Sequence, residues 1–184
     1  MRFWLSIVLI CLSFLSKGQL DSNVNKVPKV DIKSYYGWKS ANTGMIVLTS
    51  WATANMASGF ILSSREEGTS KYFHQMNGLW NTVNFGLGLA GYFTTRRKMH
   101  AFKREDYPFE LQKQVKILKF NSYLDLGYMA AGGTMWALNE KFKTPELGKG
   151  YGISMIVQGA FLFVFDKILA RRVATKGLDR HNID

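Results

Sequence analysis

Three asparagines, Asn77, Asn81 and Asn84, lie inside a segment free of formal charge, at steps of four and three residues. That spacing puts them on one helix face, with His74 before them and Gly88 and Gly91 beyond. Amides so placed do one of two things. They hydrogen-bond between helices while the glycines admit close backbone approach, or they line a cavity for a polar headgroup, an ion, a proton path or a small cofactor. Weaker stripes of the same kind run through Trp51, Asn55 and Ser58, through Asn121, Asp125, Tyr128 and Gly132, and through Ser154 and Gln158. An amide turned to lipid leaves donors and acceptors unsatisfied, so the stripes are expected to face one another and give a polar interior. The candidate interior or ligand-binding residues are therefore Asn55, His74, Asn77, Asn81, Asn84, Asp125, Tyr128 and Gln158. Asp125 is the sharpest of them, a carboxylate one turn from Asn121 and Tyr128 that suits a protonatable site or an interfacial residue in reach of water.

Other chemistry is thin. The three histidines, His74, His100 and His181, lie at a segment edge, in a basic loop and near the C-terminus, which gives no facing pair for haem ligation. With Cys11 the single cysteine, zinc sites of the common Cys/His kind lack ligands. Ser50, Ser63 and Ser64 have no partner base at recognisable spacing. The glycines of residues 86–91 sit inside an apolar run and make no phosphate loop. No cofactor or metal is implied, and the expectation is a protein that is not an enzyme. Basic residues flank apolar segments, which argues against nucleic acid as a partner.

The elements that must hold these residues are set by charge patterning. A chain of 184 residues, 47% hydrophobic, makes one domain and excludes a disordered polypeptide. Its mean hydropathy of -0.08 is that of a soluble protein, but the average conceals long uncharged segments separated by short stretches crowded with Lys and Arg. Residues 41–64 and 73–95 carry no formal charge; residues 118–138 are interrupted by Lys119 and Asp125, and residues 151–165 extend through Asp166 and Lys167 to Arg171 and Arg172. Each is long enough, or extended enough by snorkelling ends, to cross hydrocarbon. Asp106-Tyr107-Pro108 and Thr144-Pro145-Glu146 supply helix starts, and residues 66–69 a tight connection. The expected fold is all-α, a multi-pass transmembrane four-helix bundle over residues 41–170. A soluble bundle is the rival, but its surface helices would carry charged faces that the first two segments lack. Trp51 and Trp80 are placed to pack across the first two helices, and Asp166 with Lys167 reads as a boundary pair.

Residues 1–18 have a positive start, an apolar run over residues 3–15 and a Ser16-Lys17-Gly18 cleavage pattern, expected as a signal peptide or an uncleaved anchor. Residues 19–40 read as a polar tail and residues 171–184 as a basic C-terminal tail. Export of the N-terminus would put most of the basic residues outside, against the positive-inside rule, so the two orientation signals conflict.

Phe73-His74-Gln75-Met76-Asn77 with Trp80, Asn81 and Asn84, preceded by Ser50-Trp51 and Asn55, resembles small uncharacterised multi-pass bacterial membrane proteins that carry an N-terminal signal. The resemblance spans most of residues 41–170 and implies a membrane location, the bacterial inner membrane, with no activity attached. The expected function is a non-enzymatic membrane-embedded binding or accessory subunit, in contact with lipids and with a second copy or a partner membrane protein. A small transporter or channel-like protein using an Asn- and Asp-lined path is the alternative, and an enzyme acting on lipid a third class.

Overall fold

The computed structural model describes residues 32–101 and 107–178. They form four long helices: α1 (Ile32–Ser63), α2 (Gly68–Ala101), α3 (Tyr107–Ala137) and α4 (Pro145–Gly177), with a short 3-10 turn at Asn139–Lys141 before α4. No strand occurs among the described residues. The expected signal segment, residues 1–18, lies outside them.

Local sequence accounts for the ends. Gly68 opens α2 at φ +56°, a left-handed conformation that the tight α1–α2 connection demands and that a side chain would strain. Pro145 opens α4 at the first helical position with Glu146 beside it, although Thr144 makes no side-chain capping bond. α1 starts at Ile32, inside the stretch read as a polar tail, and α4 runs to Gly177, through residues read as a basic tail. Charged side chains end an uncharged span without ending the helix that carries it. Helices of 31 to 34 residues are about 47–51 Å long, well beyond the roughly 30 Å of a bilayer's hydrocarbon.

α1 and α2 form one hairpin and α3 and α4 another. α4 packs substantially on all three others, while α3 packs chiefly on α4. Glycines set the separation of the helices. A Cβ on Gly59 would stand 2.5 Å from the Gly78 backbone nitrogen; one on Gly132 would stand 2.7 Å from the Gly152 carbonyl oxygen, and one on Gly152 2.5 Å from that of Gly132. Gly37 and Gly177 meet in the same way where α1 crosses the end of α4. Pairs of small residues bring backbones into direct contact, and every such crossing fixes a register.

The registers align four uncharged stretches side by side. Between Lys39 and Arg65, Lys71 and Arg96, Lys119 and Glu140, and Lys149 and Arg171, the charged residues are Asp125, Asp166 and Lys167 alone. The shortest of the four stretches, 20 residues on α3, is about 30 Å long. By length and hydropathy two helices suffice to cross a membrane, α1 over Tyr35–Ser63 and α4 over Pro145–Gly177. α2 and α3 fall short because amides dilute the first and Lys113, Lys116 and Lys119 enter the second.

Across the band polar groups are buried beside Met76 and Trp80, while many large apolar side chains face out. Buried positions hold Asn77, Asn81, Asn84, Ser122, Asp125, Ser154 and Gln158, whereas Ile46, Phe60, Leu79, Leu124, Leu126, Val157 and Val164 are exposed. Beyond the band, where α1 and α3 begin and α4 ends, the ordinary arrangement returns. Trp38, Leu111, Val115 and Val173 belong to an apolar core there, with Arg96, Arg97, Lys113, Lys116, Arg171 and Lys176 outside.

The close α3–α4 crossing makes a prediction. Gly152→Ala is expected to cost about 1–3 kcal/mol by forcing backbones apart. Gly127→Ala, where an added Cβ meets nothing within 4 Å, is expected to be neutral or to gain up to about 1 kcal/mol from helix propensity. Thermal unfolding of the two variants in detergent checks the contrast, and equal effects would contradict the packing.

Candidate functional site

The polar residues of the band join into one hydrogen-bonded ladder. Asn55 of α1 donates from Nδ2 to the Trp51 carbonyl at 2.9 Å. Asn77 of α2 donates across to Asn55, 3.2 Å from its Oδ1 and 3.3 Å from its carbonyl. Asn81 donates back to Asn77, 2.9 Å to the carbonyl and 3.3 Å to Oδ1, and Asn84 reaches the Asn81 Oδ1 at 3.5 Å. From α4, Gln158 Nε2 donates to Asn77 Oδ1 and its own Oε1 accepts from Trp51 Nε1 at 3.5 Å. Asn77 is therefore the hub. Its single amide ties α1, α2 and α4 together, and it is buried, as are Asn81, Asn84 and Gln158.

Helical spacing explains the arrangement. Residues 77, 81 and 84 follow one face of α2, so each amide finds the next one turn along, and the glycine crossings hold α1 and α4 close enough for Asn55 and Gln158 to complete the set. A buried amide without partners costs about 1–3 kcal/mol, so amides that satisfy one another are the lowest-cost way to carry them. A second tie between α1 and α2 lies nearer the basic end, where Asn42 donates to the Tyr92 carbonyl at 3.0 Å and to Thr95 Oγ1 at 2.9 Å. Tyr151 of α4 donates to Gln75 Oε1 of α2 at 3.1 Å near the opposite end. Hydroxyls on the outer faces turn inward instead. Thr53 and Thr134 bond their own helix carbonyls at 2.8 and 2.9 Å.

The remaining candidates stand apart from the ladder. His74 is half-buried with its ring edge-on to Phe73, centroids 5.1 Å apart. Tyr128 packs edge-on against Trp80 of α2 at 4.8 Å. Asp125 is buried on α3, its backbone carbonyl against Gly159 of α4, and its Oδ2 has no hydrogen-bond partner among the described residues. The buried Ser154 Oγ is likewise without one.

Three features escape the sequence reading. Trp51 does not pair with Trp80; it stacks on Phe161 of α4 with centroids 3.9 Å apart. Asp166 is buried, not a boundary residue, while Lys167 extends over the rings of Tyr123 and Phe163 at 5.3 and 5.4 Å. Gln158, the weakest stripe by pattern, sits at the hub. The signal for Asp166 was present: it lies two turns beyond Gln158 on the same helix face.

Comparison with known proteins places this geometry inside one family. The family described as "Family of unknown function (DUF6992)" matches residues 47–167, a stretch that holds the whole ladder, Asp125 and Asp166. No curated protein and no solved structure matches the chain.

The hub sets the energetic ranking. Asn77→Ala leaves Asn55, Asn81 and Gln158 short of partners and is expected to cost about 2–3 kcal/mol, against about 1 kcal/mol for Asn84→Ala at the ladder's end. A double-mutant cycle of Asn77→Ala with Gln158→Ala, followed by denaturant unfolding, should give a coupling of about 1 kcal/mol. Strict additivity would remove the bond from the account.

Proposed function

The chain belongs to the DUF6992 family of unknown function, and from that premise we propose that it is a multi-pass membrane protein whose polar interior organises a four-helix bundle. Its role in this reading is that of a non-enzymatic accessory or binding subunit. One observation carries the proposal: within the uncharged band the amides of Asn77, Asn81, Asn84 and Gln158 and the carboxyl of Asp125 are buried, while Ile46, Phe60, Leu79, Leu124, Leu126, Val157 and Val164 are exposed. Water would penalise so many exposed large apolar side chains, whereas hydrocarbon would penalise any unpaired amide left outside. Both solvents favour the observed distribution only if the band sits in lipid.

Several further features support the reading. Even the shortest uncharged stretch is as long as the hydrocarbon core is thick, and outer-face threonines bond their own backbone as lipid-facing hydroxyls do. Tyr72 and Tyr151 meet edge-on near one border of the band, with Tyr35 and Tyr36 beyond the other, where amphipathic rings suit the headgroup region. The accessory role follows from the ladder. Its amides are occupied with one another, so their first task is helix registration.

A second reading, a small transporter, has the buried unpartnered Oδ2 of Asp125 in its favour. The two are separable. Purified protein in liposomes, followed with an internal pH dye under an imposed gradient, is expected to pass no more protons than empty vesicles. Flux above that level, lost in Asp125→Asn, would replace the accessory reading with the transporter. The membrane assignment itself is checked by alkaline carbonate extraction of cell membranes, from which the chain should not be released.

A further inference from the structure

Along the outside of the bundle α1 and α4 leave an open groove of about 480 Å³. Its walls change character from end to end. Lys39, Arg172 and Lys176 stand at one end, and Val47, Phe161 and Val164 line the other. All three cations are exposed, none is in an ion pair among the described residues, and no acidic residue lines the groove. We propose that this groove binds one anionic phospholipid, with its phosphate between Lys39, Arg172 and Lys176 and an acyl chain laid along Val47, Phe161 and Val164.

The proposal rests on the membrane reading above and follows from where the groove lies in the band. Lys39 and Arg172 mark the border at which the uncharged stretches of α1 and α4 end, the level of headgroups if the band is in hydrocarbon. From Lys176 to Phe161 the wall of α4 is about 22 Å long, enough for a headgroup and the roughly 15 Å depth of one leaflet. Polar groups inside the groove do not compete for the lipid. The Ser40 and Thr43 hydroxyls are committed to the carbonyls of Tyr36 and Lys39 at 2.9 and 3.0 Å. Nor does a second copy fit, because a two-fold axis along the membrane normal would set Lys39 and Arg172 against the same cations of the partner. A zwitterionic lipid brings no net charge to meet the three cations.

The test is native mass spectrometry of the full chain released from nanodiscs containing equal phosphatidylglycerol and phosphatidylcholine. The wild type should retain phosphatidylglycerol at least about tenfold over phosphatidylcholine, and Lys39→Gln/Arg172→Gln/Lys176→Gln should lose most of that preference. Lys113→Gln/Lys116→Gln/Lys119→Gln, the same charge change on α3 away from the groove, should keep it. Val164→Trp, at an exposed position, fills the apolar end and should lose the adduct with all cations intact. Equal loss in both triple variants, or an adduct unaffected by the groove triple, overturns the site. Displacement by millimolar glycerol phosphate would make it a pocket for free phosphate and overturn the lipid assignment. Carbonate extraction separates the two levels of the argument: a chain retained in membranes but without lipid preference overturns the groove alone, and a chain released overturns the membrane reading and the groove with it.

Discussion

The bundle depends on a single side chain having its polar atoms met from three directions. Asn77 receives Gln158 from α4 and Asn81 from its own helix, and donates to Asn55 of α1. Buried in a medium of low dielectric, an amide is costly when it is short of partners and directional when it has them. Apolar packing alone would let α1, α2 and α4 slide or rotate against one another at small cost. The ladder allows one registration, and the uncharged stretches come into line because of it.

Glycine makes the ladder geometrically possible. Amide side chains are short, and they meet across helices only where backbones approach closely, as at Gly59 of α1 with Gly78 of α2 and at Gly150 of α4 with Thr69 and Phe73 of α2. These crossings contribute little apolar burial, so the interior gains its order from hydrogen bonds and backbone contact. At the basic end the logic reverses. Trp38, Leu111 and Val173 are fully buried in an apolar core beneath a cationic surface, an arrangement suited to water. The basic end and the uncharged band thus differ in what they bury and what they expose.

Much of this was legible in the sequence, for identifiable reasons. The stripe of Asn77, Asn81 and Asn84 follows from helical spacing, and the four helices from charge-free stretches bounded by cations, Pro145 and Gly68. Helix lengths were not legible, because span logic detects the uncharged part of a helix and is silent about Ile32–Ser40 or the last turns before Gly177. Partners across helices were harder still. Trp51 could have met Trp80 of the neighbouring helix, and only the way α4 packs against α1 shows that its ring stacks on Phe161. Asp166 was masked by its neighbour Lys167: a charged dipeptide looks like a border, although the two side chains leave the helix in different directions, one inward and one across the rings of Tyr123 and Phe163.

The central claim is that the band's apolar exterior faces hydrocarbon while the amides face one another. Spin labels on single cysteines at Leu79, Leu124 and Val164, in a Cys11→Ser chain reconstituted into liposomes, read this directly through collision with oxygen and with a water-soluble nickel chelate. The account predicts that all three labels collide with oxygen and are shielded from nickel, whereas labels at Lys113 and Lys176 behave in the opposite way. Nickel access at Leu79, Leu124 and Val164 equal to that at the two lysines would contradict it.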